Sequence, residues 1–195
     1  MTFQFIVEDG SLVANSNSYL TIDEANTYIQ ANYHVYPQWQ VLDTLTKQQL
    51  LVWACRYLDQ RATWNGVPTS TFLADPTQTN LIATWAVAPI FGPTSTQSMR
   101  WPRACVLDRD GNALNADTIP KQLKDACAEM ARYLLANDRS LERPQDFLTE
   151  LKAGDVTLRF RDAVLAIVPS EVSFIVRGLG SISSGRTNFS KITKV

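Results

Sequence analysis

Two arginine residues flank a tryptophan and a proline in the run Arg100-Trp101-Pro102-Arg103. Guanidinium groups bind phosphate oxygens and an exposed indole ring stacks on unpaired bases, so one interpretation of this run is a nucleic-acid contact. Tryptophan and arginine are equally typical of the buried centres of protein interfaces. A third interpretation is a structural joint, in which Trp101 packs on the protein body, Pro102 sets the chain direction and the arginines pair with acidic side chains.

Few other residues have the types or spacing of a catalytic site. His34 is the only histidine, and a general base or metal ligand needs partners that its neighbours do not supply. The close carboxylates Asp23-Glu24 and Asp108/Asp110 are explained by a helix first turn and a tight turn. The sequence contains no nucleophile elbow, P-loop, dinucleotide fingerprint or zinc-protease motif. It therefore predicts a protein that is not an enzyme, with no cofactor and no metal site.

The composition indicates a globular protein, because 195 residues with 45% hydrophobic content can bury a substantial core. The formal net charge of -1 is unlike the basic balance of proteins that coat nucleic acid. Residues 1–98 carry three basic side chains against seven acidic ones, and residues 99–195 carry fifteen against twelve. Four aromatic residues fall at or beside the apolar positions of predicted helices, where core packing is expected: Tyr28, Trp53, Tyr57 and Tyr133. The remaining candidate nucleic-acid contacts are the arginine-tryptophan run and the basic C-terminal tail.

The three cysteines, Cys55, Cys105 and Cys127, lack the paired spacing of disulfide or zinc sites. They are predicted to be small buried apolar residues in a reducing cytoplasm. The N-terminus has no basic signal-peptide region, and the longest apolar run, from Leu81 to Phe91, is too short to span a bilayer. No membrane contact is therefore expected.

Periodicity and capping residues predict a mainly α fold, a helical bundle with a few short β-strands and an extended C-terminal arm. The predicted helices run from about Ile22 to Asn32, from Thr46 to before Asn65-Gly66, after Pro120, and after Pro169-Ser170. Alternating apolar residues predict short strands at 3–7 and 155–160.

Residues 1–180 are predicted to form the helical domain, with an insertion at about 69–98, and residues 181–195 the arm. The insertion carries one charge, Asp75, and many apolar groups that would otherwise form an improbable exposed patch. It is therefore expected to form a subunit or tail interface, through Phe72, Leu73, Trp85, Ile90 and Phe91.

Several motifs, taken in order, resemble a family of tailed-phage head-tail connector or adaptor proteins, also called DnaT-like single-stranded-DNA-binding proteins. The resemblance covers roughly residues 6–160, and the order and spacing of the motifs matter more than any single motif. The motifs are Val7-Glu8-Asp9-Gly10, Ala14-Asn15-Ser16-Asn17-Ser18-Tyr19, Asp23-Glu24-Ala25, Arg56-Tyr57-Leu58-Asp59, Trp64-Asn65-Gly66, Arg100-Trp101-Pro102-Arg103, Asp110-Gly111, Ile119-Pro120 and Glu129-Met130-Ala131.

The resemblance implies a structural virion protein that forms an adaptor ring, expected to be dodecameric, between the portal and the tail of a bacteriophage. Its partners would be further copies of itself, the portal protein and a tail or nozzle protein, with passing contact to packaged double-stranded DNA. It would be assembled in the host cytoplasm and reside at the virion neck. The arm would dock on the portal through Arg186, Phe189, Lys191, Ile192, Lys194 and Val195.

The alternative is a single-stranded-DNA-binding protein of the replication type. This alternative predicts that DNA binding weakens steeply as the salt concentration rises. It also predicts that binding weakens when Arg100, Trp101 or Arg103 is changed.

Overall fold

The computed structural model describes residues 2–70, 97–136, 150–153, 156–159 and 168–182. The fold is mainly α with some β. Its helices are α1 (Ile22–Gln30), α2 (Tyr36–Gln40), α3 (Thr44–Arg61), α4 (Lys121–Ala136) and α5 (Ser170–Ile175). Its strands are β1 (Ala62–Trp64), β2 (Val67–Pro68), β3 (Arg103–Ala104), β4 (Glu150–Ala153), β5 (Val156–Arg159) and β6 (Gly180–Ile182).

The helix termini follow from capping side chains. In α1, Thr21 Oγ1 accepts from the Glu24 amide at 3.2 Å and the Glu24 carboxylate accepts from the Thr21 amide at 2.7 Å, which confirms the predicted capping box. The predicted start of α3 at Thr46 is wrong. Asp43 is the N-cap and accepts from the Thr46 amide at 3.4 Å, so the helix begins at Thr44. Pro120 precedes α4, as predicted.

Helix α4 lies at the centre of the packing, since α1, α3 and α5 all contact it. Small buried residues allow α3 and α4 to approach closely, because they add little bulk between the helix axes. The fully buried ones on the two helices are Ala54, Cys55, Ala126, Cys127, Ala128 and Ala131. Cys105, by contrast, is exposed, so the prediction that all three cysteines are buried is wrong for this one.

The described residues contain three two-stranded antiparallel ladders. The pairs β1 with β6 and β2 with β3 join distant parts of the chain, whereas β4 pairs with its neighbour β5. The strand predicted at 155–160 is confirmed as β5. The strand predicted at 3–7 is wrong: this segment forms only an isolated bridge between Val7 and Ser18. Its polar groups are instead occupied by Asn17, whose side chain accepts from the Ile6 amide at 3.0 Å and donates to the Gln4 carbonyl at 2.7 Å.

The predicted boundary between domain and arm falls inside β6, where Ser181 pairs with Thr63. Residues 71–96 and 183–195 lie outside the described residues. The predicted interface residues from Phe72 to Phe91 fall in the first segment, and the predicted arm residues from Arg186 to Val195 fall in the second. Within the described parts of the chain, no helix is long and apolar enough to cross a bilayer.

Candidate nucleic-acid interface

The arginine-tryptophan run divides between core and surface. Trp101 is fully buried and joins Pro102 through a cis peptide bond. Its indole is therefore inaccessible to a nucleic-acid base. The ring expected to stack if this run contacts DNA is part of the hydrophobic core instead.

Arg103 is also buried, and its guanidinium binds backbone carbonyls rather than acidic side chains. Nε donates to the Asn65 carbonyl at 2.6 Å, and the two terminal nitrogens donate to the carbonyls of Arg100 at 3.2 Å and Gly66 at 2.7 Å. Burial lowers the pKa of Arg103. The expected pairing of this arginine with an acid is absent among the described residues, and its role is to join the 65–66 turn to β3.

Arg100 is the exposed member of the run. Its backbone amide donates to the Tyr19 hydroxyl at 3.0 Å and to Asp59 Oδ2 at 3.3 Å. Its guanidinium makes no ion pair and no hydrogen bond with another described residue. The ion pairs of the described chain join other residues, namely Lys121–Asp125, Lys124–Glu24 and Arg132–Glu129.

Asp59, on the last turns of α3, is the centre of a partly buried hydrogen-bond network. Its carboxylate accepts from the Tyr19 hydroxyl at 2.6 Å, from Trp64 Nε1 at 3.1 Å and from the Arg100 amide. Burial raises the pKa of Asp59 even though these donors lower it. Burial and the neighbouring Asp59 charge raise the pKa of Tyr19 well above its usual value, so its hydroxyl keeps its proton.

A groove with a cavity of about 540 Å³ lies between α3 and the segments 16–17 and 97–100. We call it the α3 groove. It is lined by Ser16, Asn17, Val52, Arg56, Asp59, Gln60, Pro68, Gln97, Ser98, Met99 and Arg100.

Most polar side chains of the α3 groove are already occupied by the protein. Asn17 bonds the backbone of residues 4 and 6. Gln97 donates to the Pro102 carbonyl at 3.0 Å and accepts from Ser70. Ser16 donates to the buried Glu8 carboxylate at 3.0 Å. The side chains that make no hydrogen bond with another described residue are Arg56, Gln60 and Arg100. The unused hydrogen-bonding capacity of the groove is therefore mostly donor and positively charged.

The solvent-facing stripe of α3 continues this surface. Gln49, Trp53, Arg56 and Gln60 are all exposed, at spacings of four, three and four residues. Trp53 is 38% exposed, and the Arg56 guanidinium carbon lies 6.0 Å from the centroid of its ring. The prediction that Trp53 is a core residue is wrong.

The other two cations of α3 also lie over aromatic rings, but over buried ones. Lys47 Nζ is 5.7 Å from the Trp39 centroid, and the Arg61 guanidinium is 4.7 Å from that of Tyr57. Trp39 is 0% and Tyr57 4% exposed, so neither ring can receive a base. Trp53 and Arg56 are thus the members of α3 that combine an accessible ring with a cation.

Other candidates from the sequence do not form a site. His34 is exposed and meets Tyr33 edge-on at 5.5 Å. No group of residues in the described ranges could hold a metal ion. Asp108 Oδ1 accepts from the amides of Asp110 at 2.9 Å and Asn112 at 2.8 Å, which confirms the predicted tight turn.

Comparison with known families gives a match that spans almost the whole chain. The model of the family described as "Putative DnaT-like ssDNA binding protein" matches residues 3–88 and 92–193. No curated protein and no solved structure gives a significant match.

This match corrects the functional expectation. A structural connector ring of the virion, with portal and tail proteins as partners, is wrong, because the family that matches is one of single-stranded-DNA-binding proteins. The alternative interpretation is the one that agrees with the match. From residues 3 to 193, this chain belongs to the DnaT-like ssDNA-binding protein family.

Proposed function

We propose that this protein is a non-enzymatic module that binds single-stranded DNA along the α3 groove. The observation that carries the proposal is the pair of exposed guanidinium groups, Arg56 on α3 and Arg100 on the facing segment, within a groove whose other polar side chains are mostly occupied. Family membership supports the same ligand class.

The side chains of the groove that make no hydrogen bond with another described residue determine what it can bind. A guanidinium offers donors and no acceptor, so the complementary ligand is rich in acceptors and negatively charged. Asp59, a carboxylate that lines the groove together with Arg100, already accepts from Tyr19, Trp64 and the Arg100 amide. The phosphate groups of a DNA backbone are negatively charged and rich in acceptors, so they are such a ligand.

Trp53 provides the second element of single-strand recognition. Unpaired bases present their faces, and stacking of one base on an aromatic ring contributes about 1–3 kcal/mol. The neighbouring Arg56 would bind a phosphate while the base rests on the indole. A duplex keeps its bases stacked on one another, so this arrangement favours the unpaired strand.

The overall charge of -1 indicates that binding depends on few phosphate contacts. Each contact with a single strand contributes about -0.7 to the slope of log affinity against log salt. Two contacts, at Arg56 and Arg100, give a slope of about -1.4, so affinity falls about sevenfold between 50 and 200 mM salt. This dependence is weaker than that of strongly basic DNA-binding proteins.

Fluorescence anisotropy with a labelled oligothymidylate, measured at 50 and 200 mM salt, tests the proposal. Arg56→Gln and Arg100→Gln should each weaken binding and reduce the slope by about 0.7. Arg109→Gln is the matched control, because Arg109 is exposed on the 108–112 turn, outside the groove. Equal affinities for all three variants and the unmodified protein, or no binding by any of them, would contradict the proposal.

Stacking is tested separately at Trp53. Trp53→Ala should weaken binding by about 5- to 150-fold, which corresponds to the free energy of stacking one base. Trp53→Phe keeps an aromatic face and should restore most of the loss. If alanine and phenylalanine behave alike, the ring does not stack on a base.

A further inference from the structure

Arg56 and Arg100 are positioned in different ways. Arg56 projects from the second-last turn of an 18-residue helix. Arg100 lies on a segment with no regular secondary structure, and its side chain makes no hydrogen bond or ion pair with another described residue. Among the described residues, the hydrogen bonds that fix Arg100 beside the groove are made by its backbone.

Contacts from the N-terminal loop hold that backbone. The Tyr19 hydroxyl accepts from the amides of Arg100 at 3.0 Å and Trp101 at 3.2 Å and donates to Asp59 Oδ2 at 2.6 Å. One donor and two acceptor positions are the full capacity of a phenolic hydroxyl. Tyr19 is 0% exposed, so water has no access to replace these bonds.

A second contact lies a few residues away on the same loop. The Asn15 amide donates to Ser98 Oγ at 2.8 Å. Asn15 has a positive φ of 59°, in the left-handed region that asparagine adopts more readily than most residues. The loop itself is held by Glu8, which accepts from the amides of Gly10 at 2.9 Å and Leu12 at 3.1 Å.

We propose that loop residues 15–19 form a positioning element for DNA binding, which fixes Arg100 over the α3 groove through the Tyr19 hydroxyl and Ser98. This inference rests on the proposed function. Tyr19 and Ser98 act through the backbone of residues 98–101, and the phosphate contact belongs to Arg100. Arg56 does not depend on this element.

A double-mutant cycle with labelled oligothymidylate separates positioning from general stability. Removing one phosphate contact should weaken binding about eightfold at 50 mM salt and about threefold at 200 mM. Tyr19→Phe, which keeps the ring, should approach the loss seen for Arg100→Gln. In the Arg100→Gln protein, Tyr19→Phe should cause no further loss of affinity. In the Arg56→Gln protein, it should weaken binding by the same factor as in the unmodified protein.

Ser98→Ala provides a second test, because Ser98 is exposed and the variant removes only a hydroxyl. Ser98→Ala should weaken binding when it is made in the unmodified protein, but it should not change the affinity of the Arg100→Gln protein. The proposal is overturned if both variants bind like the unmodified protein, or if they weaken Arg100→Gln and Arg56→Gln by the same factor. Failure of the proposed function has a different signature, since Arg100→Gln itself would then bind normally.

Discussion

Trp101 meets Trp64 edge-on in the core, with ring centroids 5.9 Å apart and ring planes inclined at 81°. Such pairs add about 0.5–1.5 kcal/mol to the free energy gained by burying the rings. Trp64 ends β1, and its register partner is Gly180 of β6, where an added Cβ would lie 3.0 Å from the Trp64 ring. The tryptophan pair therefore joins the segment after α3, the 100–104 segment and the β6 strand.

Replacing Trp101 with alanine should lower the free energy of unfolding by about 3–5 kcal/mol, because a fully buried ring is lost and a cavity remains. Trp53→Ala is the matched control. Trp53 is 38% exposed, and the expected loss is about 1 kcal/mol or less. Urea unfolding followed by circular dichroism measures both. Similar midpoints for the two variants would show that Trp101 does not contribute as a core residue.

Arg103→Lys should destabilise the fold by about 2–3 kcal/mol, because three carbonyls lose part of a geometry that only a planar guanidinium can provide. One ammonium group cannot reach the carbonyls of Asn65, Gly66 and Arg100 in the same way. Arg109→Lys, at an exposed turn, should have almost no effect. Thermal unfolding of the two variants distinguishes these outcomes, and equal melting temperatures would refute the role assigned to Arg103.

Gly66→Ala and Gly111→Ala form a matched pair of backbone substitutions. Both glycines have positive φ, 69° and 86°. A Cβ at Gly66 would lie 2.2 Å from the Ala104 carbonyl oxygen, whereas nothing lies within 4 Å of one at Gly111.

Gly111→Ala should therefore cost about 1 kcal/mol, the price of the left-handed conformation alone. Gly66→Ala adds a backbone clash that must move β3 away from β2, and should cost about 3 kcal/mol or more. Chemical denaturation of both proteins gives the comparison. A smaller loss at Gly66 than at Gly111 would be incompatible with the β2–β3 register.

Glu24 should contribute to the stability of the fold in a pH-dependent way. Burial alone would raise its pKa, but hydrogen bonds from Lys124 and the Thr21 amide lower the pKa below the ordinary value of 4.5. The folded state therefore binds the Glu24 proton less readily than the unfolded state. Its stabilising contribution is present above the unfolded pKa and is lost as pH falls through the folded one.

Glu24→Gln keeps a side chain able to cap α1 and removes the charge, so it isolates this contribution. At pH 7 the variant should be less stable by about 0.5 kcal/mol, because a side chain that is 41% exposed is screened by solvent. The difference should shrink as pH falls below 4.5. Asp23→Asn, at the neighbouring exposed position of the first turn, is the control. A Glu24→Gln difference that is constant with pH would contradict the ion pair with Lys124.

Local signals in the sequence determine part of this fold. The Thr21–Glu24 capping box and Pro120 before α4 act over three or four residues, and both are where the sequence predicts them. The sequence does not predict Asp43 as the α3 cap, because Thr46 offers an equally good local pattern. The strand expected at 3–7 failed because no partner strand exists for it among the described residues, and Asn17 binds its backbone instead.

The candidate site was harder to predict. Trp53 adjoins apolar positions of α3, and its exposure follows from which side of the helix faces α4. The spacing of Gln49, Trp53, Arg56 and Gln60 is the sequence signal that could have shown a common face. No pattern shows that Arg103 binds carbonyls while Arg100 faces solvent, because their partners come from residues 37 to 81 positions away.

The hydrogen bonds of Tyr19 also impose an order of events during synthesis. Its hydroxyl joins Asp59, 40 positions later, and the Arg100 amide, 81 positions later. A chain still emerging from the ribosome lacks the 97–100 side of the α3 groove until residue 101 has emerged. Nascent chains shorter than this carry Trp53 and Arg56 without Arg100. The capacity to hold a strand at two points is therefore acquired late, when the distant contacts close.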